Sequence, residues 1–191
     1  MPCLSEAERK AILALARQSV EEAVCRSRLL SSIPQTGPFE RKCGAFVTLH
    51  VAKRLRGCIG VIEGREPLGE SIVRCAASAA LEDPRFSPMR PEELKGLDIE
   101  VSLLSPLERI QPEDVEIGKH GLLVEQGFHR GLLLPQVAVE HGLGRERFLQ
   151  ETCHKAGLTA NAWKSPGTRL YAFTCEILVE NAPIPNEKPA T

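Results

Sequence analysis

The stretch LRGCIG, residues 55–60, sets the thiol of Cys58 two positions from the fixed positive charge of Arg56, between Gly57 and Gly60. A cation near a cysteine favours the thiolate, the form that attacks electrophiles. Residues two apart on a strand share a face. Arg56, Cys58 and Gly60 therefore point one way, while Leu55, Ile59 and Val61 point the other, toward a core. The preceding run alternates Ala45, Val47, Leu49 and Val51 with Phe46, Thr48 and His50. Pairing its apolar face to the same core brings His50 beside Cys58 as a candidate base, provided the register does not slip by one residue. Gly57 and Gly60 leave room for a substrate or a second backbone. The rival reading is an inert thiol, since free cysteine is among the most buried residue types.

Other positions could join such a site. His120 precedes Gly121 at the entrance to a strand, where its ring can reach a cleft as a second candidate base. Asp83 and Arg85 flank Pro84 in EDPRF at a helix end and can form a fixed charge pair. A helix stop with Phe86 packed inward accounts for the same residues without chemistry. Lys155, in CHKAGL, falls in the last turn of a helix, where a cation offsets the helix dipole. The histidines lack H-x-x-x-H and H-E-x-x-H spacing and the cysteines lack C-x-x-C, so no metal site is expected. His154 adjoins Cys153, but neighbours on a helix diverge and do not share a site. His129 and His141 read as surface or cap residues. Walker, Rossmann and G-x-S-x-G patterns are absent, and the sequence names no cofactor. GCIG fits the G-x-x-G of KH loops only in letters, because it lies in a strand.

These side chains must be positioned by a mixture of helices and strands. Ser5 and Glu8 form a capping box, and Ile12, Leu15, Val20 and Ala23 follow at helical spacing to about residue 30. Residues 31–42, with two prolines and a glycine, read as a loop. Two alternating strands over 44–61, turning near residues 52–54, make a hairpin. An alanine-rich helix runs from about Pro67 and stops before Pro84. LDIEVSLL is the next strand, and GLLVEQGFHRGLLLP is a second hairpin turning at 126–130. Two helical pieces follow, the second closed by Gly157. TRLYAFTCEILVE reads as one long strand, and the proline-rich end, residues 183–191, as a disordered tail after a single domain over 1–182. Strict βαβ alternation is absent, so the class is α+β.

The 191 residues carry 24 basic and 25 acidic side chains, a net charge of -1 that gives no general attraction to nucleic acid. Arg41, Lys42, Lys53, Arg54 and Arg56 are read as a solvated face, and nucleic-acid binding is not expected. Seven scattered cysteines, no signal peptide and no apolar run near the ~18 residues of a membrane span point to a reduced, cytoplasmic protein.

LRGCIG, followed in order by DPRF, IEVSLL, KHGL, GLLLPQVAVEHG, FLQETCHKAGL and a lone Trp163, resembles the AMMECR domain family over about residues 5–180. The resemblance implies a compact α+β fold with a larger and a smaller lobe around a mixed sheet. It implies that Arg56, Gly57, Cys58 and Gly60 line a functional cleft, with Asp83, Arg85 and Lys155 on matching motif positions. For the microbial branch, tied to the AmmeMemoRadiSam system, it implies a Memo-like protein and a radical SAM protein as partners. It brings no established reaction. Two readings follow: an enzyme or enzyme component using Cys58 with Arg56, His50 and His120, or a non-catalytic module binding a ligand or protein through the same groove.

Overall fold

The computed structural model describes residues 4–180. The expected tail at 183–191 lies outside them. The described chain divides into two compact units, residues 4–103 with 177–180, and residues 104–176. The class is α+β, but the strands form two antiparallel sheets rather than the one mixed sheet expected.

The first unit begins with α1 (Glu6–Arg26), whose start is fixed by the expected capping box. Glu8 N–H donates to Ser5 Oγ, and the Ser5 N–H donates to the Glu8 carboxylate. Strands β1 (Ala45–Val51) and β2 (Arg54–Val61) form the hairpin, followed by helix α2 (Leu68–Leu81) and strand β3 (Leu97–Leu104). β8 (Cys175–Val179) completes the sheet in the order β2-β1-β3-β8, which leaves β2 at an edge. Period-two alternation sends Ala45, Val47 and Leu49, with Ile99 and Val101, into one core shared with α1 and α2. Those five side chains are fully buried. The hairpin turns through Ala52 and Lys53, both left-handed at φ 51° and 62°. Such a tight turn normally recruits Asn-Gly.

The second unit contains β4 (Glu108–Arg109), β5 (Gly121–Gln126), β6 (His129–Leu133), α3 (Pro135–Glu140), α4 (Arg145–Lys155) and β7 (Arg169–Phe173), with sheet order β4-β7-β5-β6. Its core gathers Leu122 and Val124 from β5 with Phe148, Leu149 and Cys153 from α4. The single strand expected over 168–180 is two strands. At Thr174 the ladder breaks, because Thr174 N–H donates to Ser105 Oγ and its carbonyl accepts from Ser105 N–H. β7 and β8 consequently pair in different sheets. No helix among the described residues is long and apolar enough to cross a membrane.

Candidate functional site

The hairpin register sets the site. Val47 faces Ile59 and Leu49 faces Gly57 on the core side, while Thr48 faces Cys58 and Phe46 faces Gly60 on the other. Between Leu49 and His50 the register shifts, so that His50 faces Leu55 and Arg56 is the extra residue of a bulge. The bulge overturns one detail of the parity argument. Leu55 is not a core residue: it is 41 % exposed and pairs with His50. Cys58 stays opposite Thr48, and the bulge sets Leu55 in place of Arg56 opposite His50.

Gly57 and Gly60 have packing reasons for being glycine. A Cβ on Gly57 would lie 2.0 Å from the Ala79 carbonyl oxygen, so the missing side chain lets α2 press onto β2 at that point. A Cβ on Gly60 would meet the Phe46 ring at 2.3 Å.

Cys58 is half-buried, and its Sγ accepts a hydrogen bond from the Thr48 hydroxyl at 3.3 Å. That contact follows from the pairing. The Cys58 N–H points away from β1, which makes Thr48–Cys58 the close, non-hydrogen-bonded kind of pair. On the open edge of β2 that N–H donates to Asp83 Oδ2 at 2.8 Å. The Cys58 carbonyl has Arg85 Nη2 at 3.5 Å, the outer limit of a hydrogen bond. Asp83 and Arg85 thus do for one residue of the edge what a neighbouring strand would do, and they block edge-to-edge pairing there.

Asp83 is only 4 % exposed. Its carboxylate accepts the Arg85 Nε at 3.0 Å, Nη2 at 2.7 Å and backbone N–H at 3.1 Å, besides the Cys58 N–H. The Arg85 guanidinium first, then the Cys58 and Arg85 amides, hold its pKa far below the usual carboxylate range against the opposing effect of burial. Arg85 is raised in turn by Asp83. Its side chain is 53 % exposed, and its Nη1 has no hydrogen-bond partner among the described residues.

Arg56 is committed elsewhere. Its Nε and Nη2 donate to Glu93 at 2.7 and 3.1 Å, and this guanidinium is the main reason the Glu93 pKa is lowered. Arg56 Nη1 is buried without a partner among the described residues. The guanidinium carbons of Arg56 and Arg85 lie 5.9 and 5.4 Å from the centre of the Phe86 ring, so both cations lie against one aromatic side chain.

The structure therefore brings together Cys58, Arg56, Asp83 and Arg85. It adds Thr48, Phe86 and Glu93, none of which the sequence marked as functional. Glu93 lies 37 residues from Arg56 in a 3₁₀ segment, Pro91–Gly96, and no spacing rule joins them. His50 has no hydrogen bond to Cys58 among the described residues. His120 belongs to the second unit, where its Nδ1 accepts the Glu116 N–H at 3.1 Å and is spent on a local turn. Lys155 is the last residue of α4, also in the second unit. His129 Nδ1 donates to the Ala156 carbonyl that ends α4, as a cap. Among the other thiols, burial pushes Cys75 up to about 11 and raises Cys43 and Cys153, which disfavours their thiolates. No group of three or more metal-ligating side chains occurs among the described residues.

Residues 13–178 match the family model AMMECR1. The chain belongs to the AMMECR1 family. A protein of Thermococcus gammatolerans is 45 % identical over 184 residues, covering 90 % of each chain. One from Methanothermobacter thermautotrophicus is 43 % identical over 188 residues, covering 93 % of this chain and 97 % of its own. Among solved structures, the crystal structure of the uncharacterized protein PH0010 from Pyrococcus horikoshii superposes with a TM-score of 0.87 at 38 % identity, covering 94 % and 95 % of the two chains. The family resemblance drawn from LRGCIG and its companion motifs is confirmed, with no reaction attached to it.

Proposed function

We propose that the Cys58 face is a binding site for a small anionic ligand, and that this AMMECR1-family protein serves as a ligand-binding component alongside a Memo-like protein and a radical SAM protein that supply or receive the ligand. The carrying observation is the half-exposed Arg85 guanidinium beside Cys58. Asp83 holds two of its nitrogens and leaves Nη1 without a partner among the described residues. Arg56, whose guanidinium lies 5.9 Å from the centre of the same Phe86 ring, adds a second positive charge near the face. A planar guanidinium with a free nitrogen suits carboxylate or phosphate oxygens. Free thiols throughout the described chain suit a reducing, cytoplasmic setting.

A second reading makes Cys58 the nucleophile of an enzyme component. The Thr48 hydroxyl donating to Sγ favours it, since that contact orients the half-buried sulfur. It ranks second because neither His50 nor His120 is hydrogen-bonded to the thiol. Titrating inorganic phosphate and oxalate into wild type and Arg85→Gln by calorimetry tests the first reading. Saturable binding by one of them, weakened in Arg85→Gln and kept in Cys58→Ser, supports it. No saturable binding of either, or equal binding by Arg85→Gln, rejects it.

A further inference from the structure

The second unit holds a cavity of about 530 Å³ between β6, α3 and α4, well within the ~300–1,000 Å³ typical of small-molecule sites. Its floor is apolar: Leu133 of β6, Val137 of α3 and Leu143 in the connection between the helices. These half-buried side chains rest on the core of the unit without being covered by it. The rim is made by the face of α4 opposite its core residues. Phe148, Leu149, Thr152 and Cys153 are buried, so helical periodicity turns Arg147, Glu151, His154 and Lys155 toward the cavity mouth. Gly131 fixes the end of that helix. A Cβ there would lie 2.2 Å from the Ala156 nitrogen and 2.6 Å from the Lys155 carbonyl carbon, so α4 presses on β6 at Lys155.

The charges on the rim are unequal. Glu151 is occupied by Arg147 at 2.7 Å and approached by His154 Nδ1 at 3.4 Å. Lys155 and His141 have no hydrogen-bond or ion-pair partner among the described residues. The formal balance of the lining is two cations against one carboxylate. The α4 C-terminus adds a partial negative charge of about half a unit, which a full charge on Lys155 outweighs. From an apolar floor under a net-positive rim with one unpaired ammonium, we infer that this cavity binds an amphipathic monocarboxylate, its alkyl or aryl body on Leu133, Val137 and Leu143 and its carboxylate on Lys155 and His141.

Calorimetric titration of the whole chain with octanoate, octanamide and octylammonium tests this. Octanoate binds saturably below about 10 mM, and octylammonium binds more weakly by about tenfold. Lys155→Gln, at a solvent-facing position, weakens octanoate about fivefold and leaves octanamide unchanged. Val137→Gln weakens both. The inference is overturned by absent saturation with octanoate, by equal affinity for octylammonium, or by Lys155→Gln leaving octanoate binding intact. If Val137→Gln fails to fold, the Lys155→Gln arm decides alone.

Discussion

Asp83→Asn removes the charge on which the edge of β2 depends while keeping the side-chain shape. Each carboxylate oxygen now accepts two donors: Oδ2 takes the Cys58 N–H and Arg85 Nη2, and Oδ1 takes the Arg85 N–H and Nε. An asparagine can keep one pair and must set its own N–H groups against the other. Losing one buried hydrogen bond to a charged acceptor costs about 1.5–3 kcal/mol. The Arg85 ion pair adds only about 0.2–1 kcal/mol, because a half-exposed guanidinium can turn to water. The expected loss is about 2–4 kcal/mol, read as a lower urea midpoint at neutral pH. Hydrogen exchange at the Cys58 amide should rise by the corresponding factor. The pH dependence has a definite sign. The folded-state pKa of Asp83 lies below its unfolded value, so its contribution is complete above about pH 5 and fades as pH falls below about 4 toward the folded value. The gap between wild type and Asp83→Asn should close over that acid range. A gap under about 0.5 kcal/mol, or one unchanged from neutral pH down to about pH 3, would refute the role given to this carboxylate.

Two further substitutions probe the frame around the site. Gly57→Ala forces a methyl into the Ala79 carbonyl and should destabilise by about 1–3 kcal/mol, measured by urea unfolding; a neutral effect would mean α2 does not rest on β2 at that point. Lys53→Gly relieves a left-handed lysine in the hairpin turn and should stabilise by up to about 1 kcal/mol in the same assay, whereas destabilisation would contradict the turn geometry.

Much of this scaffold could be read from the chain because its signals are local. Ser5 and Glu8 cap α1 through neighbouring backbone groups, and the alternation of 45–51 needs only the side-chain period of a strand. The partners of the site were harder, because they depend on long-range packing. The bulge at Arg56 shifts one residue of register, and exposed Leu55, not Arg56, comes to face His50. Nothing in the local pattern of RLRGC announces it. Asp83 and Arg85 carried a local hint, a charge pair around a proline, but their use as a surrogate strand for Cys58 needs β2 to lie at a sheet edge. The break at Thr174 was invisible for a related reason: its alternation is continuous, and only Ser105 across the ladder interrupts it.

The central claim is that fixed cations beside Cys58 attract anions to that face. It is tested most directly by the rate of Cys58 alkylation with iodoacetate relative to iodoacetamide, resolved by peptide mass spectrometry in wild type and Arg85→Gln. A unit charge about 8 Å away at an effective dielectric constant near 40 contributes about 1 kcal/mol, or roughly fivefold in rate. The account predicts that the iodoacetate-to-iodoacetamide ratio at Cys58 drops about fivefold in Arg85→Gln and declines with added salt in wild type. A ratio identical in the two proteins, or a Cys58 that neither reagent labels in the folded chain, would contradict it.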